Sequence, residues 1–267
     1  MVAHLPRRAV LLGGAGLLAG AADRPDRSER TPLAALPLSR MDTGWWRARH
    51  LAKLEEVRSR PVNLVWLGDS ITQSWEMQGP PEWRDFAPVW QRFYGDRQAV
   101  NLGFKGDNTA HLLWRMQNGE LDGISPRAAV VLIGANNMGR VRWTAPQTLA
   151  GIGAITSDLQ RRLPGTKVLL LGVLPSIRSK WVTKTTNEVN AGLAQAYPPG
   201  HPVRFMDVGH LFKHGAEVDR TQFYDDYLQP PDPPLHPTAQ AQERLAEAIE
   251  PALSGMLGDR SKVARAA

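Results

Sequence analysis

The chain has 267 residues, of which 42% are hydrophobic and 22% charged, a composition suited to one sizeable globular core. Its net charge of +6 comes from 32 basic and 26 acidic residues scattered along the chain. No dense Lys/Arg block or basic stripe interleaved with aromatics argues for nucleic acid as a partner, and with no cysteine, disulfides, thiol catalysis and zinc–thiolate sites are excluded.

The N-terminus reads as an export signal. Arg7 and Arg8 precede an apolar run from Ala9 to Ala19, followed by the small residues Ala19-Gly20-Ala21 and a charged stretch from Asp23 to Arg30. A charged start, a short apolar run and a small-residue exit make a secretory signal peptide over residues 1–22. The paired arginines fit the twin-arginine route. The expected location is periplasmic or secreted, with no integral membrane segment in the mature chain, since the apolar run is short for a bilayer span.

Residues 23–58 read as a linker and an N-terminal helix, the helix carried by Trp46, His50, Leu51 and Leu54 between Trp45 and Val57. A single larger domain follows over residues 59–257. Apolar runs predict strands at Val62–Leu67, Ala99–Leu102, Ala128–Ile133, Lys167–Leu174 and Val203–Val208. Helical periodicity predicts helices at Thr109–Asn118, Ala145–Leu163, Lys184–Ala196 and Pro237–Leu257, the last with Pro237 at its first position. Strands apolar on both faces and alternating with helices give a three-layer α/β/α sandwich on a parallel sheet of about five strands, flavodoxin-like in type. Residues 258–267 read as a frayed polar tail.

In such sheets ligands bind at the carboxyl ends of the strands. Standing there are Gly68-Asp69-Ser70, then Gly103-Phe104-Lys105-Gly106-Asp107, then Gly134-Ala135-Asn136-Asn137, with Leu235-His236-Pro237 before the last helix. A hydroxyl, an exposed glycine N–H, a carboxamide and an imidazole are the parts that acyl transfer needs. Gly68-Asp69-Ser70-Ile71-Thr72 lacks the second glycine of a nucleophile elbow, which argues against an α/β-hydrolase.

These four blocks, in this order, resemble those of the SGNH (GDSL-type) hydrolases over about residues 60–255. The stretch Asn101 to Glu120 and the pair Asn136-Asn137 are most similar to the branch that contains the platelet-activating-factor acetylhydrolase catalytic subunits. The resemblance implies Ser70 as nucleophile and His236 as base. It also implies an oxyanion hole made of the Ser70 and Gly106 N–H groups and the Asn136 side chain. No cofactor and no metal are implied; His210 and His214, spaced i and i+4, lack a clear third ligand.

The acid departs from the family's usual Asp-x-x-His, because position 233 is proline. Asp232 is the first candidate for the third catalytic residue, with Asp225 or Asp226 as substitutes, and a Ser–His dyad as the remaining option. The expected reaction is hydrolysis of a short acyl ester, acetyl in the first instance, on a small molecule or a carbohydrate. Trp66, Trp75, Trp83, Trp90 and Trp114 cluster near the first two blocks and could stack on sugar rings, although core packing accounts for most of them equally well. A lysophospholipase, thioesterase or acyltransferase of the same fold is the alternative, and an inert scaffold is the alternative of another class. The reading leaves room for a homodimer.

Overall fold

The computed structural model describes residue 1, residues 30–79 and residues 84–263. The expected signal peptide, the first part of the linker, Trp83 and the last four residues therefore lie outside the described residues.

Four pentads and a tetrad form the sheet: β1 (Leu64–Gly68), β2 (Ala99–Gly103), β3 (Ala128–Leu132), β4 (Lys167–Leu171) and the tetrad β5 (Val203–Met206). Their order is β2-β1-β3-β4-β5, and every pair is parallel. Alternate residues face opposite layers. Leu64, Trp66, Val130 and Leu169 enter one core with Phe93, Leu245, Ile249 and Leu253. Val65, Leu67, Val131 and Leu170 enter the other with Leu112, Ile152, Ile155 and Val189. The helices behind these side chains are α3 (Ala87–Tyr94) and α8 (Ala239–Leu257) on the first face. On the second are α4 (Thr109–Arg115), α6 (Ala145–Arg162) and α7 (Lys180–Ala196). The expected three-layer sandwich is the observed one, and the strand order reverses between β1 and β3, where such sheets open a crevice.

Several strand and helix ends differ by a few residues from the sequence reading, and α3 is an element that reading lacks. The N-terminal helix α1 spans Gly44–Ser59, but the segment before it is packed rather than free. Thr109 Oγ1 donates to the Ala34 carbonyl at 2.7 Å, and Leu38 N–H donates to the Ala110 carbonyl at 3.0 Å. The compact unit accordingly begins at Thr31. At the other end, Gly258 closes α8 in a left-handed conformation, and Arg97 binds both Glu250 and Asp259. This holds the described part of the tail against the domain. Pro237 stands outside α8, because Thr238 caps that helix by accepting from Ala241 N–H. Among the described residues no helix is long and apolar enough to cross a membrane.

The N-terminal segment reaches α6 through Gly151. A Cβ there would stand 2.3 Å from Thr109 Oγ1 and 2.5 Å from the Ala34 carbonyl oxygen, which is backbone and cannot swing aside. Gly151→Ala is expected to destabilise the protein by about 1–3 kcal/mol in urea unfolding, through overpacking. An unchanged midpoint would show that residues 31–36 are not seated as described.

Candidate active site

The turn after β1 is shaped by close packing. A Cβ on Gly68 would overlap Thr72 Oγ1 at 2.1 Å and the Leu132 carbonyl at 2.4 Å, so only glycine fits between the strand end and the short helix α2 (Ser70–Gln73). Asp69 caps α2 by accepting from Ile71 N–H at 3.0 Å. This places Ser70 at the first helical position, where a helix leaves its N–H without an intrahelical acceptor.

Ser70 Oγ lies 2.9 Å from His236 Nε2. The other ring nitrogen, Nδ1, lies 2.7 Å from Asp225 Oδ1. A carboxylate only accepts, so Nδ1 carries the proton and Nε2 is left as the acceptor for the serine hydroxyl. The second Asp225 oxygen accepts from the N–H groups of Leu235 and His236 at 2.7 and 2.5 Å. The His236 ring stacks on Tyr224 at 5.4 Å with 13° between planes. The base is therefore held on both of its faces of chemistry, at the edge by a carboxylate and on the flat by a ring.

The acid position is the main correction to the sequence reading. Asp232 is exposed, and its backbone N–H donates to the Asp225 carbonyl at 3.0 Å. Asp226 is turned away into an ion pair with Arg220. Two antiparallel contacts explain why residue 225 meets residue 236. Phe223 bridges to Pro237, and Tyr224 N–H donates to the His236 carbonyl at 2.9 Å. The proline-rich stretch loops out between the paired ends. The signal that could have pointed to Asp225 is the apolar pair Phe223-Tyr224 just before it, which marks a buried strand-like segment.

Gly106 and Asn136 stand where the sequence placed them. Gly106 has φ +78°, a conformation that side chains resist. Asp107 N–H closes the turn onto the Phe104 carbonyl at 3.1 Å, and among the described residues the Gly106 N–H has no protein acceptor. Asn136 opens the helix α5 (Ala135–Gly139) from the end of β3. Its Nδ2 donates to the Asp107 carbonyl at 2.9 Å, which ties the two loops together. The neighbouring Asn137 is structural, bridging Thr109 through its N–H and its Oγ1. His111 completes the capping box of α4 with Asn108. Burial pushes its imidazole down to about 4, and the nearby Arg40, Arg115 and Arg140 charges act in the same direction.

The remaining candidates do not converge here. His210 and His214 lie on a 3-10 turn and a two-residue strand, so no shared helix face aligns them. Among the described residues no group of three or more His, Cys, Asp or Glu is placed to hold a metal. Trp66 and Trp75 are buried in an aromatic cluster with Tyr94, and Trp90 packs onto the same cluster. Trp114 packs against Trp46 and His50. The indoles near the first two blocks that are described here are thus engaged in packing.

The profile of the GDSL-like lipase/acylhydrolase family matches residues 66–244. The chain belongs to this family. It is 31% identical over 184 residues to platelet-activating factor acetylhydrolase IB subunit alpha1 of Homo sapiens, covering 68% of this chain and 74% of that protein. Among solved structures it superposes on a GDSL-like lipase from Bacteroides thetaiotaomicron with a TM-score of 0.59, at 16% identity, over 78% of this chain and 97% of that one. A carbohydrate acetylesterase family member from Sinorhizobium meliloti gives 0.53, at 17% identity, over 74% and 99%. At these identities the two superpositions establish the shared fold.

Two outcomes follow from the geometry. Asp225→Asn is expected to lower ester turnover by about 10³- to 10⁴-fold, the scale of losing the group that fixes the base's tautomer. Asp232→Asn should stay within a few-fold; equal effects in steady-state kinetics would refute the assignment. The second concerns Asp69, whose carboxyl is pushed up from 3.8 to about 6 by burial, partly offset by the Ile71 N–H and by His236. A value raised in the folded state gives stability that is present below the unfolded value and lost as pH rises through about 6. Wild-type stability should therefore fall relative to Asp69→Asn between about pH 4 and pH 6, by roughly 3 kcal/mol, and then level off. A pH-independent difference in urea unfolding would rule this out.

Proposed function

We propose that this chain hydrolyses short acyl esters, acetyl esters first among them, by nucleophilic catalysis at Ser70. The observation that carries the reading is the unbroken chain of contacts from Ser70 Oγ to His236 Nε2 at 2.9 Å and from His236 Nδ1 to Asp225 at 2.7 Å.

Each step uses a group in place. The serine hydroxyl, a weak nucleophile by itself, gives its proton to Nε2 as Oγ attacks the ester carbonyl. The carbonyl oxygen becomes an oxyanion and takes donors from the Ser70 N–H, the Gly106 N–H and Asn136 Nδ2. A donor of this kind lowers the barrier by about 3 kcal/mol in other serine hydrolases. The imidazolium is stabilised by Asp225, then returns the proton to the leaving alcohol. Water repeats the sequence on the acyl-enzyme and regenerates Ser70.

The acyl chain is proposed to be short because residues 59–257 carry no long apolar insertion that would build a deep tunnel, and because the human relative is named an acetylhydrolase. A carbohydrate acceptor for the ester remains part of the proposal. The altered acid block was one ground for reading the chain as an inert scaffold, and the contact between Asp225 and His236 supports the enzymatic reading instead. Export belongs to the same proposal and rests on the pattern of residues 1–22.

A fluorophosphonate probe should label the wild-type protein, found in the exported fraction, and 4-nitrophenyl acetate should be turned over. Ser70→Ala should abolish both signals. A wild-type protein that neither takes the label nor hydrolyses the ester would sink the hydrolase reading.

A further inference from the structure

Arg140 stands at an unusual place for a side chain with no carboxylate of its own. It follows Asn136 by four residues and caps the C-terminal end of α5 with helical backbone angles, so the two stand one above the other. Its backbone N–H donates to the Asn136 carbonyl at 3.1 Å. Its guanidinium leans over the other oxyanion donor: a Cβ added at Gly106 would meet Arg140 Nη1 at 2.7 Å and Arg40 Nη1 at 3.5 Å. A cation therefore lies beside both residues that would hold the carbonyl oxygen.

The other arginines around this turn are engaged, while the Lys105 ammonium, on the exposed residue next to Gly106, makes no hydrogen bond or ion pair among the described residues and so adds to the positive charge. Arg40 donates to the Lys105 carbonyl at 3.1 Å and to Asp107 at 2.8 Å. Arg178 donates to the Ala135 carbonyl and to Ser176 Oγ, and Arg142 lies over the Trp181 ring at 5.0 Å. The carboxylate on this turn, Asp107, is already taken by Arg40, Arg115 and Trp46. Among the described residues the Arg140 guanidinium makes no hydrogen bond and no ion pair, and the residue is exposed. The mouth of the site thus carries, among the described residues, a positive charge with no ion pair, and the Arg140 guanidinium presents five planar donors to an anion.

We propose that Arg140 selects esters bearing an anionic group, a carboxylate or a phosphate, a few bonds from the scissile carbonyl. The inference rests on the hydrolase reading above and narrows its substrate class. With the carbonyl oxygen at the Gly106 N–H, an anion on the adjoining part of the substrate comes within reach of the guanidinium fork, and a charge-assisted pair forms. Arg140 is a specificity residue in this account: it touches the substrate's anion, and the bond-breaking chemistry stays with Ser70 and His236.

The test pairs esters that differ in charge. Phenyl acetate is compared with 4-acetoxybenzoate, which places a carboxylate on the alcohol side. The 4-nitrophenyl ester of valeric acid is compared with the mono-4-nitrophenyl ester of glutaric acid, which places it on the acyl side. A third arm adds a phosphate on the alcohol side, with 4-acetoxyphenyl phosphate. Wild type should favour at least one anionic ester over its neutral partner by about 10- to 100-fold in kcat/KM, the scale of a hydrogen bond to a charged group. The arm that responds identifies the side and the anion. The preference should shrink with added salt. Arg140→Gln should remove it, Arg140→Glu should reverse it, and Arg140→Lys should restore part of it.

The neutral esters are the internal reference for folding and for Ser70. Turnover of neutral esters with no anionic preference in wild type overturns the inference and leaves the hydrolase reading standing. Equal losses on neutral and anionic esters in Arg140→Glu would also overturn it, since that pattern belongs to a group acting on the oxyanion. Absence of turnover of every ester by wild type would remove the hydrolase reading and this inference with it.

Discussion

Asp107 is a carboxylate with no exposure to solvent, and the arrangement of the site depends on how its charge is met. Trp46 Nε1 and Arg40 Nη1 reach one of its oxygens at 2.8 Å each, and Arg115 Nε reaches the other at 2.9 Å. A buried charge persists only when it is paired and hydrogen-bonded, so these donors cannot be moved independently. Arg115 extends the network to Glu120 and to the Gly68 carbonyl at the end of β1, and Glu120 reaches His50 on α1. The backbone of Asp107 carries the rest: its N–H closes the turn at Gly106, and its carbonyl receives Asn136 Nδ2. One residue thereby fixes the loops after β1, β2 and β3 relative to one another, with the N-terminal helix as the outer brace.

That dependence explains why so much of the site could be read in the sequence. Ser70, Gly106 and Asn136 stand within four residues of the ends of β1, β2 and β3, and a strand apolar on both faces is an unambiguous pattern. Once β1, β2 and β3 are adjacent and parallel, residues immediately beyond their carboxyl ends must be neighbours. His236 precedes a long amphipathic helix, and the helix start was equally visible. The described tryptophans near the first two blocks, by contrast, had two meanings that composition could not separate; packing around Tyr94 and around His50 decided between them.

The carboxylate behind His236 was less legible for a geometric reason. Local spacing works when acid and base share one turn, and Pro233-Pro234 prevents that turn here. The partner is instead 11 residues away and is brought in by two antiparallel contacts, Phe223 with Pro237 and Tyr224 with His236. Pairing between two short non-adjacent segments leaves little trace in periodicity. The packed segment from Thr31 to Leu38 escaped for a similar reason, since its attachment is by backbone carbonyls and by the space above Gly151, neither of which depends on side-chain hydrophobicity.

The same clasp separates function from loop length. Asp225 and Leu235 are joined directly, through Asp225 Oδ2 and the Leu235 N–H, so the residues between them close a ring whose neck is already fastened. The cost of extending a fastened loop grows only with the logarithm of its length. Residues 226–234 therefore form a graft point beside His236. Relatives could exchange or lengthen this stretch to reshape the rim above the nucleophile while Ser70, His236 and Asp225 keep their spacing. Proline-rich sequence at such a point stiffens the graft without entering the machinery it surrounds.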